Sequence, residues 1–331
     1  MDATTENVKN MYSRFPYPSP SAGRQDHKEL ANLLRLFCHE TGIDLSGRRI
    51  LDAGTGSGHR LIEAAALFPD TQFLGVDISD AALEVAASTA RDAGIENVSF
   101  EAANLMEDLG QADYDLVLSM GVLHHTSSPE QVLRNLVNAL ADDGFLFLYV
   151  YGHWGAQERM RRKAIVSLLQ GGGSGDFDQG IKLVRDLGFG LEEYGWKVDP
   201  SDEATYDALL VDSYLNVNDK LFDLDQLTEL FRGSGLDGYV PYGITTDNAG
   251  VLFDVYPGKT PRMLTQMTDF KDVRTGAAAS TAFDTLSLEQ RYRLTDLVYR
   301  PNGYTLLGFR EASAARLEAA GRLLSNACRF G

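Results

Sequence analysis

The chain has 331 residues, 44% hydrophobic and 23% charged, with 47 acidic against 30 basic side chains and a formal net charge of −17. Nucleic-acid backbones are bound by clustered Lys and Arg, so this balance disfavours a nucleic-acid partner and suits a small molecule or a basic protein surface. No run approaches the roughly 18 apolar residues of a membrane span. The first residues lack a secretory pattern, and Cys38 and Cys328 make neither a disulfide framework nor a metal-ligand spacing. A cytoplasmic protein with no membrane and no metal is the expectation.

Residues 1–47 read as an N-terminal extension or lid. Its segment Tyr12-Ser13-Arg14-Phe15-Pro16-Tyr17-Pro18-Ser19-Pro20 predicts an extended path, because the prolines oppose a helix. A helix follows with Leu30, Leu33, Leu34 and Phe37 at helical spacing. Residues 48–151 then alternate strand and helix. Strands are predicted over 49–52, 72–77, 98–102, 115–120 and 145–151, and the first helix, from about 59 to 67, ends before Pro69. Ser79 is placed to cap the second helix and Gly94 to follow its end. Ser128-Pro129-Glu130-Gln131 predicts a capping box with proline at the first helical position. Runs such as Leu116-Val117-Leu118 are apolar without alternation, as in parallel strands covered on both faces.

Residues 152–222 read as a helical lid insertion containing the glycine run 171–175, taken as a flexible link. The basic cluster Arg159, Arg161, Arg162 and Lys163 reads as a solvated helix face able to steer a small anion. Residues 223–257 continue the core, with a helix over 223–234 opened by the capping pair Asp223 and Gln226, and a strand over 236–241. Residues 258–300 form a second helical insertion, and 301–331 a last core strand over 304–310 and an alanine-rich closing helix.

Chemistry concentrates in Ile50-Leu51-Asp52-Ala53-Gly54-Thr55-Gly56-Ser57-Gly58-His59, where an apolar strand runs through an acid into a glycine turn that opens a helix. Such a turn lets backbone N–H groups approach a ligand closely. Asp77 closes the next strand, where a carboxylate can hold a ribose diol. A dinucleotide fingerprint would need its third glycine at position 59, which is His59.

The D-x-G-x-G-x-G pattern of Asp52 to Gly58 resembles motif I of the class I S-adenosylmethionine-dependent methyltransferases. Ser119-Met120-Gly121-Val122-Leu123-His124-His125-Thr126 is similar to the G-V-L-H-H segment of many small-molecule members. The resemblance covers 48–152 most fully. Leu286-Ser287-Leu288-Glu289-Gln290-Arg291 and Tyr304-Thr305-Leu306-Leu307 also resemble a subgroup with an added helical cap. It implies a Rossmann-like, seven-stranded, mostly parallel α/β sheet with helices on both faces and a mostly helical lid. It implies S-adenosylmethionine as cofactor, S-adenosylhomocysteine as product, and no metal.

On that resemblance Gly54, Gly56 and Gly58 approach the methionine tail and ribose, Asp52 orients the amino group and Asp77 accepts the ribose hydroxyls. Ile78 flanks the adenine, and Asn104 with Leu105 stands where the adenine amino group is contacted. Met120 belongs to the same cofactor set. For His124 and His125 the preferred role is structural, one ring under the cofactor and the other capping a helix; His125 is also the candidate general base, a role worth about 10²–10⁴-fold. His153 and Trp154, at the exit of the fifth strand, stand where a substrate pocket is expected. The Tyr-x-x-x-Pro-Tyr-Pro element resembles an N-terminal segment that folds over the cofactor in related enzymes, so Tyr12 or Tyr17 is placed to cover the methionine end; a surface strap is the other reading.

The function expected is methyl transfer to a small molecule, with oxygen first among acceptors by family frequency, then nitrogen, then carbon. A Rossmann-type NAD(P)-dependent oxidoreductase, a protein methyltransferase and a non-catalytic binding module are the alternatives. A homodimer through the helical insertions is open.

Overall fold

The computed structural model describes residues 1–17, 28–110, 113–172, 176–191, 201–246, 250–251, 273–317 and 327–330. The expectations for 18–20, for 173–175 within the glycine run, and for 258–272 lie outside these residues.

Five parallel strands carry the cofactor half: β1 (Arg49–Ala53), β2 (Gln72–Asp77), β3 (Val98–Ala102), β4 (Tyr114–Met120) and β5 (Leu140–Tyr151). The sheet is completed by antiparallel β6 (Gly238–Thr246), β7 (Gly250–Val251), β8 (Gly303–Phe309) and β9 (Cys328–Arg329). Its order is β3-β2-β1-β4-β5-β8-β6-β7, with β9 on β6, nine strands among the described residues. The seven expected strands are therefore present, with two-residue strands added beside β6. One of these replaces the end of the expected closing helix: the helix over Glu311–Leu317 is followed by β9, whose pairing to Gly238 and Tyr239 the local sequence does not announce.

Strand side chains sort by a period of two onto two apolar layers. Ile50, Leu116, Leu118, Phe145 and Phe147 face one layer, where Phe37 meets Phe145 and Phe147 edge-on at 5.4 and 5.5 Å. Leu51, Val117, Leu146, Leu148 and Val150 face the other. Phe37 belongs to α2 (Glu29–Thr41), whose period of Leu30, Leu33, Leu34 and Phe37 is buried along its length. β1 leads into α3 (His59–Leu67) and β2 into α4 (Asp80–Ala93), which Ser79 caps and the left-handed Gly94 ends. Pro129 opens α5 (Pro129–Asn138) behind the Ser128 cap. The reciprocal half of that predicted capping box is not formed, because the Gln131 Oε1 accepts from Arg134 while its Nε2 donates to Asn135. Full capping boxes occur at Asp223/Gln226 and Ser287/Gln290.

The N-terminus departs from expectation. Residues Ala3–Arg14 form α1, capped by Asp2, so Tyr12 stands on a helix and not on an extended strap. The prolines begin at 16 and restrict only their immediate predecessors, and nothing in 3–14 opposes a helix. α1 lies across the carboxyl ends of the strands: Lys9 pairs with Asp80 at 3.5 Å, and Ser127 donates to Asp2 at 2.9 Å. Its Met11 is buried in a third apolar cluster with Val166, Val184, Leu209 and Tyr214. That cluster is the core of a helical cap built from α6 (Gln157–Leu169), α7 (Phe177–Asp186), α8 (Glu203–Leu210) and a π-helical turn, Val211–Leu215. Among the described residues, no helix is long and apolar enough to cross a membrane.

Candidate active site

In an open parallel sheet the ligand crevice lies outside the strand carboxyl ends, where the strand order reverses. Here that point falls between the paired neighbours β1 and β4. The turn after β1 and the 121–127 loop after β4 face each other across it. Gly54, Gly56 and Gly58 all adopt the left-handed region, with φ of 88°, 57° and 72°. At Gly58 a Cβ would stand 2.7 Å from Ala86 and 2.8 Å from the Phe100 ring, so only glycine lets this turn pack on α4 and β3. Across the crevice Gly121 also has a positive φ of 88°, and a Cβ built there meets nothing within 4 Å.

Two carboxylates flank the turn. Asp77 accepts from the Gly56 N–H on one oxygen and the Ser79 N–H on the other, both at 2.9 Å, leaving lone pairs toward the half-exposed crevice. Burial pushes its carboxyl up on balance, and these donors offset that only in part. Asp52 is buried, and burial also raises it, against the charge of Arg60. Arg60, in the first turn of α3, donates to the Met120 carbonyl at 3.3 Å and was not singled out from the sequence. A positively charged residue two positions past the last glycine of the turn was the available signal.

This cradle fits an adenosyl sulfonium amino acid. It offers a close-approach backbone, a carboxylate for a ribose diol, and an acid–cation pair for the ammonium and carboxylate of the tail. Ile78 is half-buried beside Asp77. The Asn104 amide is engaged in its own turn, accepting from Met106 N at 3.1 Å and donating to Glu107 at 3.0 Å, while Leu105 is buried.

Beyond the crevice lies a polar chamber of side chains distant in sequence. His125 Nδ1 is 2.9 Å from the Asn218 carbonyl oxygen and 3.1 Å from the Asp219 carboxylate. A carbonyl only accepts, so Nδ1 carries the proton and the neutral ring presents an unprotonated Nε2. Burial works to lower the His125 pKa, but Asp219, with Asp212 behind it, outweighs that and the net shift is upward. Asp219, with a side chain only 1% exposed, also receives Lys163 Nζ at 2.6 Å and Arg159 at 3.2 Å. Burial opposes its ionisation, yet these partners hold its carboxyl far below the usual range. Arg159 further stacks on the Tyr151 ring at 4.9 Å.

The basic cluster is thus divided, correcting the solvated-face reading. Arg159 and Lys163, one helical turn apart, point inward to Asp219, whereas Arg161 and Arg162 pair with Glu158. His124 is fully buried, stacked on Tyr151 at 3.8 Å and His125 at 4.1 Å, and among the described residues both its ring nitrogens lack a hydrogen-bond partner. Burial drives its pKa well down, so it is neutral. Neither histidine caps a helix.

From α1, Tyr12 donates to Asp212 at 2.8 Å and meets the His125 ring edge-on at 6.1 Å. Tyr17 lies close enough to Asp212, Arg60 and Tyr149 for their charges to act on its phenol. Tyr12 on α1 and Tyr17 just beyond it therefore join the chamber to the crevice. His153 is not brought in: it is exposed and contacts Gln157 on the surface. Trp154 packs edge-on against His153, and its indole N–H has no hydrogen-bond partner among the described residues. Arg159, Lys163, Asp212, Asn218 and Asp219 were not foreseen as site residues. The polar run Asp212-Ser213 and Asn216-Val217-Asn218-Asp219, set between apolar stretches, was the trace they left.

Over residues 44–166 the chain matches a family model described as a methyltransferase domain. Those residues are a methyltransferase domain of the class I S-adenosylmethionine-dependent family. The chain is 28% identical over 253 residues to an uncharacterized protein of Synechococcus, covering 71% of this chain and 59% of that one. It is 28% identical over 131 residues to the malonyl-[acyl-carrier protein] O-methyltransferase of Bacillus cereus, covering 40% and 48%. It is 31% identical over 119 residues to the ubiquinone biosynthesis O-methyltransferase of Neisseria meningitidis, covering 35% and 49%. The chain thus spans about half the length of the curated relatives it matches. PKMT2 from Rickettsia typhi in complex with AdoHcy shares the fold, with a TM-score of 0.56 at 19% identity over 90% of this chain and 54% of that one.

Proposed function

We propose that this methyltransferase transfers the methyl group of S-adenosylmethionine to a small-molecule acceptor enclosed between the strand ends, α1 and the helical cap. The observation that carries the reading is the juxtaposition, on neighbouring strands, of the Gly54–Gly58 turn with its two carboxylates and the loop holding His125. Gly54, Gly56, Gly58, Asp52 and Arg60 would hold the amino-acid tail, Asp77 the ribose, and Ile78, Asn104 and Leu105 the adenine side. When bound, the sulfonium supplies an electrophilic methyl group. What remains for the chain is to align the acceptor, exclude water and take up its proton; proximity and orientation alone contribute about 7–11 kcal/mol to such reactions.

His125 is the group placed for the proton. Its Nδ1 is engaged, its Nε2 is free among the described residues, and Asp219 stabilises the imidazolium that forms. Asp219 is then a positioning residue. An acceptor hydroxyl is the first candidate and nitrogen the second. The first two named relatives are O-methyltransferases, which supports that order.

The test has two parts. Calorimetry should show S-adenosylhomocysteine binding and no NADH binding; the reverse result refutes the cofactor. Labelled methyl transfer into fractionated metabolite extracts should then be lowered about 10²–10⁴-fold by His125→Gln. A His125→Gln protein as active as the wild type removes His125 as base.

A further inference from the structure

Two buried carboxylates face the chamber, and they are served unequally. Asp219 gathers three cationic groups within 3.2 Å: His125, Arg159 and Lys163. Asp212, seven residues earlier, is 7% exposed and has no Lys, Arg or His within salt-bridge distance among the described residues. Its oxygens receive neutral donors only, namely Tyr12 Oη at 2.8 Å, Tyr151 Oη at 3.4 Å and the Asn216 amide at 3.4 Å. Arg159 feels Asp212, but its guanidinium is committed to Asp219 and the Ser213 carbonyl, both at 3.2 Å.

The surroundings of Asp212 are aromatic. Tyr12, Tyr17, Tyr149 and Tyr151 lie deep enough for burial to raise every phenol, yet each keeps partial solvent access, so these rings line a recess and not a filled core. Asp212 sits on the π-helical turn that continues α8; such turns are rare and frequent at functional sites. A buried carboxylate that no basic side chain neutralises, set among partly accessible tyrosines, suits an organic cation, chiefly through charge; Tyr12 and Tyr151 offer it hydroxyls, and the Tyr151 ring already carries Arg159 and His124. A carboxylic acid or phosphate ligand would instead meet the charge of Asp212.

We propose that Asp212 with Tyr12, Tyr17, Tyr149 and Tyr151 is the subsite for an organic ammonium group of the methyl acceptor. This rests on the methyltransferase reading and narrows its substrate class to amine-bearing molecules. The subsite adjoins the crevice through Tyr17, which feels both Asp212 and the Arg60 of the cofactor cradle.

The experiment is a calorimetric titration of the protein saturated with S-adenosylhomocysteine. The probes are n-butylammonium and choline chloride, each against its neutral counterpart, 1-butanol and 3,3-dimethyl-1-butanol. At least one cation should bind tenfold or more tightly than its counterpart, and Asp212→Asn should bring the pair within twofold of each other. Absence of that selectivity in the wild type overturns the proposal, as does its survival in Asp212→Asn. Should Asp212→Asn fail to fold, the wild-type comparison decides alone. Titrating S-adenosylhomocysteine itself into the same wild-type sample separates the two readings: its failure to bind removes the cofactor assignment, while the cation-to-neutral ratio, measured without it, still reports on the subsite.

Discussion

Replacing Asp219 by Asn removes the one negative charge on which His125, Arg159 and Lys163 converge, while keeping size and shape. Breaking a buried ion cluster from one side costs about 3–5 kcal/mol, because the remaining cations, with side chains 11% and 19% exposed for Arg159 and Lys163, stay largely desolvated. At about 2.1 cal/mol/K of unfolding entropy per residue, a 331-residue chain unfolding as one unit would lose about 4–7 °C in Tm. The pH dependence is more diagnostic. Asp219 is depressed on folding, so its contribution is present above the ordinary carboxylate pKa near 3.8 and fades as pH falls below it. His125 is raised on folding, so its contribution is complete below 6.5 and is lost as pH rises through the higher folded value. In Asp219→Asn only Asp212 and the Asn218 carbonyl still oppose burial, so the His125 pKa falls and that slope shrinks or reverses. The Tm gap between wild type and variant should therefore be widest between about pH 4 and 6.5 and shrink on either side. Differential scanning fluorimetry from pH 3 to 9 measures it. Parallel Tm profiles across that range would refute the ion-cluster reasoning.

Gly58→Ala forces an L side chain into φ +72° and onto Ala86 and Phe100, a combined cost of about 2–5 kcal/mol; a urea midpoint unchanged from wild type would contradict the turn geometry. Asp77→Asn should weaken S-adenosylhomocysteine by about 10- to 100-fold, the worth of hydrogen bonds to a charged group, and calorimetry at constant pH reads this directly. Activity of the wild type should rise with pH as His125 deprotonates, and Asp219→Asn should move that midpoint downward; a pH–rate profile with the same midpoint in both proteins excludes the His125–Asp219 coupling. Tyr304→Phe deletes the 2.6 Å bond to Asp296, whose carboxyl burial has already pushed up to about 6. Losing that donor raises it further, so the loss of stability, about 1–3 kcal/mol, should be larger at pH 8 than at pH 5. Equal losses at both would show that the ionisation of Asp296 does not change between them, against a raised carboxyl.

The two halves of the site differ in how far they can be read from the chain alone. The cofactor cradle is local. Asp52, the three glycines and Arg60 lie within nine residues, and one strand–turn–helix step places them, so residue type and spacing suffice. Asp77 follows from the next strand of the same unit. Strands β1, β2, β4 and β5 are legible for a similar reason, since each is a largely apolar run closed by a helix cap or a glycine, whereas β3 shows only the alternation of Val98, Phe100 and Ala102 with Ser99 and Glu101. The helix α1 was hidden because its mean character is polar and its partners, Ser127, Asp80 and Asp212, are remote.

The chamber is not local at all. Its Asp219 cluster joins α6, the loop after β4 and the segment after the π-turn, and its tyrosines come from α1, β5 and the strap. Arg159 and Lys163 look the same in sequence as Arg161 and Arg162, and only the packing of α6 sends the first two to Asp219, Arg162 onto Phe189 and Glu158, and Arg161 to solvent. The amino-acid order determined the sheet, the glycine turn and the acids beside it, because backbone conformation and hydrophobic period are set by near neighbours. Tertiary packing decided which charges are buried together and which histidine nitrogen is left open, because desolvation and ion pairing depend on distances in space that no spacing along the chain encodes.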